Sequence, residues 1–446
     1  MKSRMPAFWA LLPVLAFGAE DPGQPPPADW GDLLRQAQVL SPAIHAAGAR
    51  LEAARRRPVQ AEAPPDPEVS LSYLNDGVSG LTYGESEFAA LSLTWTQEVP
   101  YPGKLRRTGE VASFGAERAG KELERVRFQV RAAVTTAYAD LHRLDRTGAI
   151  LAEIHDALVS LEQSARRRYE VGEGIQESVL KAQTGILRLE AEMARVSEDR
   201  RAAEARLNAA IGRAAGTPIG PATALPEGSL SGDEEALQEA AVAASPEIGA
   251  LAAAVRGEEA GVRLARLDLK PDFIWSASYQ NRDGLDPMVM GSFGVRLPLH
   301  RARKQAQAVS EKEAELVAAQ QDLADLQVRT RASVREIVSR VRRAERLLVL
   351  FGQGIIPQAA STLESARASY RSGRIGFLDV LNDLTVLLEA RIDLAVQESE
   401  RLQALAELEP LLARELIRAL DGAVGSRREA GEPPPAGAGG QHGTDR

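Results

Sequence analysis

The side chains best suited to chemistry are few and far apart. The five histidines are His45, His142, His155, His300 and His442. None forms an HxxxH pair or joins carboxylates at ligand spacing, so no metal site is read from them. The chain has no cysteine. That excludes disulfides, thiolate zinc sites, a cysteine nucleophile and a lipid on an N-terminal Cys. No G-x-S-x-G, P-loop or Rossmann glycine pattern occurs. The sequence therefore reads as a non-enzyme with no cofactor. Asp379 and Asp383 are by themselves acids near the start of a helix, where they complement the helix dipole. Arg166, Arg167 and Arg168 read as a solvated face, with a partner contact as the minority reading.

The elements around these residues are more telling. In "RRRYEVGEGIQESVLKAQ", from Arg166 to Gln183, Gly172 and Gly174 interrupt an otherwise helical stretch. Each glycine costs about 1 kcal/mol in a helix interior. The segment "YRSGRIGFLDVLNDLTVLLEAR" at 370–391 repeats the pattern at an offset of 201, pairing Tyr169 with Tyr370 and Gly172 with Gly373. A repeated break is a turn rather than a defect.

The rest of the chain is doubled too. "SPAI" at 41–44 is echoed by "SPEI" at 245–248. Helix is read over 32–62, with an interruption at Ser41-Pro42 and a last turn weakened by Pro58. Alternating strands follow, "EVSLSYL" and "ALSLTWTQEV", then a long helix from Leu105 to Val171 and another from about Gln176 to Gly212. In the second copy the strands are "KPDFIWSASYQ" and "MVMGSFGVRLPL", followed by a long helix over 300–370. A run of about 67 helical residues makes a rod of roughly 100 Å, too long for a compact globule. The flanking helices 32–62 and 177–212 together match it, so they stack end to end along it. Leu381, Leu388, Ala395 and Leu402 recur every seven residues as a helical seam.

The expected organisation is a signal peptide at 1–19, a Pro-rich leader at 20–30, a first repeat at 31–215 and a linker at 216–233. A second repeat at 234–421 and a disordered tail at 422–446 complete it. Lys2 and Arg4, the apolar run 7–17 and Gly18-Ala19 carry the signal-peptide reading. No later stretch has 18 consecutive apolar residues, so any membrane crossing falls to strands. The net charge of −8 argues against nucleic acid as the main partner. Strands of about 10 residues cross a tilted bilayer span. Four strands cannot close a barrel, and open edges are not tolerated in lipid. A trimer would supply twelve strands. Four soluble strands capping a coiled coil remain the competing reading. Trp95, Trp275 and Tyr279 are correspondingly either lipid-facing aromatics or sheet core.

With its doubled plan, "QEVPYPGKLRR" at 97–107 and the paired "YEVGEGI" and "YRSGRIGFLDVLND" segments, the sequence resembles the TolC family of outer-membrane efflux factors over about 31–421. The resemblance implies a mainly α fold with a small β part. It implies a homotrimer with a trimeric α-helical tunnel and a 12-stranded outer-membrane barrel. Leu91, Leu93, Trp95, Phe273, Trp275 and Tyr279 are then candidates for the lipid face. The chain is expected in the bacterial outer membrane with a long periplasmic extension. A periplasmic adaptor protein would dock at the tip formed by Gly172, Gly174, Gly373 and Gly376, and an inner-membrane efflux pump would deliver cargo. "QEVPYPGKL" leans toward the subgroup serving heavy-metal and cation pumps. The family's constriction carboxylates fall on Asp379, with Asn382 and the adjacent Asp383 at the second position. Its tip-closing contacts fall on Tyr370, with an arginine displaced to Arg374 and with Ser178, beside Glu177, in place of an aspartate. The alternative is a periplasmic coiled-coil adaptor or structural protein without a pore, which the two hairpins and few strands disfavour.

Overall fold

The computed structural model describes residues 25–418. The elements are α1 (Trp30–Leu40), α2 (Pro42–Glu62), β1 (Glu68–Leu74), β2 (Ala90–Val99), α3 (Lys104–Glu170) and α4 (Gln176–Ile211). Next come β3 (Glu227–Gly228), α5 (Glu234–Ala244), α6 (Pro246–Leu267), β4 (Asp272–Asn281), β5 (Met288–Arg296) and α7 (Gln305–Val349). A π-helical segment (Leu350–Ile355), α8 (Ile356–Arg371), α9 (Phe377–Leu412) and β6 (Ile417–Arg418) end the series. The expected signal peptide at 1–19 and tail at 422–446 lie outside the described residues. Among the described residues, no helix is long and apolar enough to cross a membrane.

The long rod is α3, with α2 along its first half and α4 along its second. Leu51 of α2 lies beside Gly120, Val196 of α4 beside Gly148, and Leu158 of α3 beside Gly185 of α4. The two shorter helices meet at Gly212, which ends α4 at φ +94°. A Cβ there would stand 2.8 Å from Leu40 O and 2.9 Å from Pro42 Cδ, so the end-to-end junction requires glycine. Ser41 separates α1 from α2, and Pro42 occupies a first-turn position where its missing N–H is harmless.

Two details depart from the sequence reading, and the helical end it placed at Glu62 holds. α2 continues through Pro58 to Glu62, because packing against α3 outweighs one lost backbone bond. The second long helix is not uniform: Ile356 N–H bonds to Phe351 O, five residues back. Pro357 cannot donate to residue 353 and crowds its carbonyl, and the wider π turn accommodates it. On the first half of α9 the buried stripe is Phe377, Val380, Leu384 and Leu387, while Leu381 and Leu388 are only half-buried beside it. Ala395 and Leu402 of the expected seam are buried.

Two hydrophobic cores follow one another along the rod. One, at mid-length, gathers Tyr138, Leu141, Leu207, Val334 and Leu405; the other, near the glycine turns, gathers Ile154, Leu158, Leu363 and Leu384. The segment 216–233 is strapped onto the first. Ile219 is buried, the Tyr138 hydroxyl donates to Ala224 O at 3.0 Å, and β3 pairs with β6. Glu409, fully buried, holds the end of α9 there. Its carboxylate meets Arg131 Nε at 2.8 Å and accepts from the Leu416 and Ile417 N–H groups at 2.7 and 2.9 Å. Arg131 also donates to Ile417 O at 2.6 Å, so the buried pair is satisfied on both sides.

Candidate functional site

Two regions concentrate the residues singled out in the sequence: the sheet at one end of the rod and the double turn at the other.

The sheet runs β1-β2-β4-β5, antiparallel throughout. Val69 faces Trp95, Leu71 faces Leu93, and Leu93 faces Tyr279. Trp275 faces Phe293 and Phe273 faces Val295. Because strand side chains alternate between faces, this register puts Leu91, Leu93, Trp95, Phe273, Trp275 and Tyr279 on one face. Trp275 and Phe293 have ring centroids 4.8 Å apart, and Phe273 and Phe293 5.8 Å. The other face is hydroxyl-rich: Thr94 Oγ1 donates to Ser278 Oγ at 3.0 Å, and Ser276 and Ser292 hydroxyls are 2.7 Å apart.

The burial is inverted relative to a sheet that caps a soluble core. Leu93, Trp275 and Tyr279 are 51%, 52% and 48% exposed, while Ser92 and Ser278 are buried. An antiparallel sheet in water turns its apolar face inward. Among the described residues no element covers this apolar face, and a continuous exposed patch of this kind marks a membrane or partner surface. Strands of 7 to 10 residues reach roughly 23–33 Å, the scale of a bilayer core. Among the described residues, β1 and β5 are the edges of the sheet.

At the other end, two turns of one kind reverse the chain. Gly172 takes φ +77° and Gly373 φ +74°. In each turn the glycine N–H returns to the tyrosine carbonyl three residues back, at 3.0 Å, and the following N–H reaches one residue further. A left-handed residue is what such a helix ending needs, and glycine adopts it without a Cβ clash. Gly174 and Gly376 act differently. A Cβ on Gly174 would sit 3.0 Å from Tyr169 N. Gly376 has an extended backbone, and its N–H donates to Asp379 Oδ2 at 3.0 Å. Asp379 is therefore an exposed carboxylate that also caps α9. Asn382 is exposed and Asp383 half-buried.

Tyr370 is buried at 7% exposure and faces into its own chain. Arg168, from the first repeat, donates through Nη1 to Tyr370 O at 2.7 Å and lays its guanidinium 5.0 Å from the ring centroid. Phe377 meets the same ring edge-on at 6.2 Å. A cleft of about 370 Å³ between the turns is lined by Gly174, Glu177 and Ser178 on one side and by Tyr370, Gly376 and Asp379 on the other. Glu177 pairs with Lys181 at 2.6 Å. Arg374, Asn382 and Asp383 do not line this cleft.

Arg168 and Phe377 were not legible as site residues. Arg168 sits in an arginine run that reads as one solvated face. The three diverge: Arg166 turns to Glu162 at 2.6 Å, and Arg168 crosses to the other repeat. The signal in the sequence is one position earlier in the repeat, where Arg168 falls on Ser369 at the same offset; in the structure Tyr169 is 46% exposed while Tyr370 is buried. Glu162, also buried, accepts from Arg166 and, at 3.0 Å, from Gln183 of α4. The Arg166 hydrogen bond, helped by Gln183, holds the Glu162 carboxyl below the usual carboxylate range despite burial.

A family model described as outer membrane efflux protein matches residues 33–213 and 237–414. Among solved structures, the chain is similar to the outer-membrane channel OprN, at 18% identity and a TM-score of 0.74, covering 86% of this chain and 89% of that one. It is similar to the outer membrane protein VceC from Vibrio cholerae, at 19% identity and a TM-score of 0.73, covering 86% and 95%. The open state of the Neisseria gonorrhoeae MtrE outer membrane channel matches at 15% identity and a TM-score of 0.71, covering 86% and 88%. At these identities the likeness is one of fold. A comparison with curated protein sequences gives no match.

Proposed function

The chain belongs to the outer membrane efflux protein family, and from that premise we propose that it is the outer-membrane channel of a tripartite efflux system. Three copies close their open β1 and β5 edges into a twelve-stranded barrel. The long helices of the three copies form a tunnel across the periplasm. An adaptor docks at the glycine turns, and an inner-membrane pump supplies both cargo and energy. The channel itself is passive.

The observation that carries this reading is the polarity of the two central strands: their apolar residues are exposed, while Ser92 and Ser278 on the hydroxyl face are buried. A soluble cap would bury the opposite face. Open edges are costly in lipid and are removed by closure. The charged, apolar, small-residue order of residues 1–19 supports export from the cytoplasm. "QEVPYPGKL" at 97–105 supports a place in the subgroup that serves heavy-metal and cation pumps.

At the tip, the Arg168–Tyr370 contact supports a clasp between the two hairpins of one chain. Docking of the adaptor releases it, and the second hairpin swings outward. Three Asp379 carboxylates near a common axis would then present an acidic ring that attracts cations. Cell fractionation tests the assignment. A heat-modifiable trimer in the outer-membrane fraction is expected, and a soluble monomer in the periplasmic fraction would overturn it.

A further inference from the structure

The chain passes from strand to long helix twice, and it uses its cations differently each time. After β2, Lys104 lies between Asp268 Oδ1 and Asp272 Oδ2, at 2.9 Å from each. The Tyr101 N–H donates to the same Asp272 at 2.8 Å. That cation is engaged within the fold. After β5 the connection is "LPLHRARK", 297–304. Leu297 and Leu299 are 60% and 83% exposed and carry apolar surface past the last ladder residue, Arg296. His300, Arg301, Arg303 and Lys304 follow at once, all exposed. Arg296 is paired with Glu98, but among the described residues Arg301, Arg303 and Lys304 have no carboxylate partner.

The opposite rim of the sheet carries the opposite sign. The β1–β2 loop holds Asp76, Glu85 and Glu87 and no cation, and the β4–β5 loop holds Asp283 and Asp286 against Arg282. The sheet is thus acidic at its hairpin end, and at its helix end the 297–304 connection carries cations without acids, with the exposed apolar band between. The exposed acids at the helix end are Asp66 and Glu68 at β1, across the width of the sheet from β5, and Asp268 before β4, which is paired with Lys104.

We propose that the 297–304 rim binds the phosphate headgroups of anionic phospholipid in the leaflet on the helical side. This rests on the barrel reading above. Leu297 and Leu299 enter the edge of the acyl region, and Arg301, Arg303 and Lys304 contact the phosphates. Near an anionic membrane surface each Lys or Arg strengthens association by about fivefold, so three contribute on the order of a hundredfold at low salt. The effect is electrostatic and weakens as the Debye length shortens.

The test uses the full chain reconstituted into nanodiscs of equal phosphatidylcholine and phosphatidylglycerol, then released for native mass spectrometry. The assembly is expected to retain phosphatidylglycerol in preference to phosphatidylcholine. R301Q/R303Q/K304Q is expected to lose at least fivefold of that preference with its oligomeric state intact, and 0.5 M salt before release is expected to do the same to the wild type. A wild type that enters no nanodisc would overturn the barrel reading, and this proposal with it. A wild type that enters but retains both lipids equally, or a triple variant that keeps the preference, would overturn this proposal alone. If the triple variant and D66N/E68Q both dissociate the oligomer, the cations pair with the β1 acids of a second copy, and the lipid assignment is wrong.

Discussion

Arg168→Ala removes the side chain that hydrogen-bonds the end of the first hairpin to Tyr370 of the second, beside the apolar core the two share. The loss can be sized. The hydrogen bond from Nη1 to Tyr370 O is 2.7 Å long and charge-assisted, a class worth about 1.5–3 kcal/mol. The guanidinium lies 5.0 Å from the Tyr370 ring centroid, which adds about 0.5–1 kcal/mol where solvent still reaches. Arg168 is half-exposed, so the lower part of each range applies, about 2–3 kcal/mol together. If the clasp exists only in the closed tip, that shifts the open-to-closed ratio by about 30- to 150-fold. Single-channel recording in planar bilayers, without adaptor, reads the ratio directly. Arg168→Ala is expected to raise open-state occupancy by that factor. Arg168→Lys keeps the charge but not the planar fork, so it falls between. Occupancy unchanged in Arg168→Ala, with the oligomer intact, refutes the clasp.

Other predictions separate structural from conducting roles. Asp379→Ala loses the cap on Gly376, about 1 kcal/mol at the start of α9, whereas Asp379→Asn keeps a cap and removes the charge. If Asp379 lines the aperture, both variants lower cation selectivity in bilayer recordings; an effect of Ala alone makes it only a cap. Glu409→Ala leaves Arg131, which is 13% exposed, with only the longer 3.5 Å contact to the exposed Glu415 and frees the Leu416 and Ile417 N–H groups. It should cost about 3–5 kcal/mol, and an unchanged denaturation midpoint would contradict the buried-pair account. The Glu162 carboxyl is held below its ordinary range by Arg166. A lowered folded-state value means its contribution is complete above the unfolded value near 4.5 and is lost as pH falls through the folded one. Wild type should therefore lose more stability than Glu162→Gln when acidified below that point, and parallel melting curves would show that the pair contributes nothing.

The doubled plan was legible because it is written in periodicity. Long runs without proline, alternating strands and a tyrosine–glycine pair repeated at a fixed offset need no tertiary information. Gly172 and Gly373 could be placed because a glycine repeated at the same break marks a turn, and both take a left-handed backbone. Gly174 and Gly376 look alike in sequence yet differ in cause, one a close backbone approach and the other the receiver of a carboxylate cap. Arg168 was hidden because neighbouring arginines on a helix point some 100° apart, and what each meets depends on the other repeat. The π turn before Pro357 was likewise invisible, since a proline signals a lost bond but not how the helix absorbs it. The strands were the reverse case. Their alternation gave two faces but not which one is covered, and that distinction separates a membrane sheet from a soluble one.

The orientation of that sheet is the central claim, and tryptophan reports on it. Trp95 and Trp275 lie on the exposed apolar face, and Trp30 is 4% exposed in the mid-length core. The protein reconstituted into phosphatidylcholine brominated along its acyl chains should show strong fluorescence quenching that disappears in W95F/W275F. Fluorescence in brominated lipid equal to that in unbrominated lipid would mean that the apolar face does not meet the bilayer, and the channel account would fail.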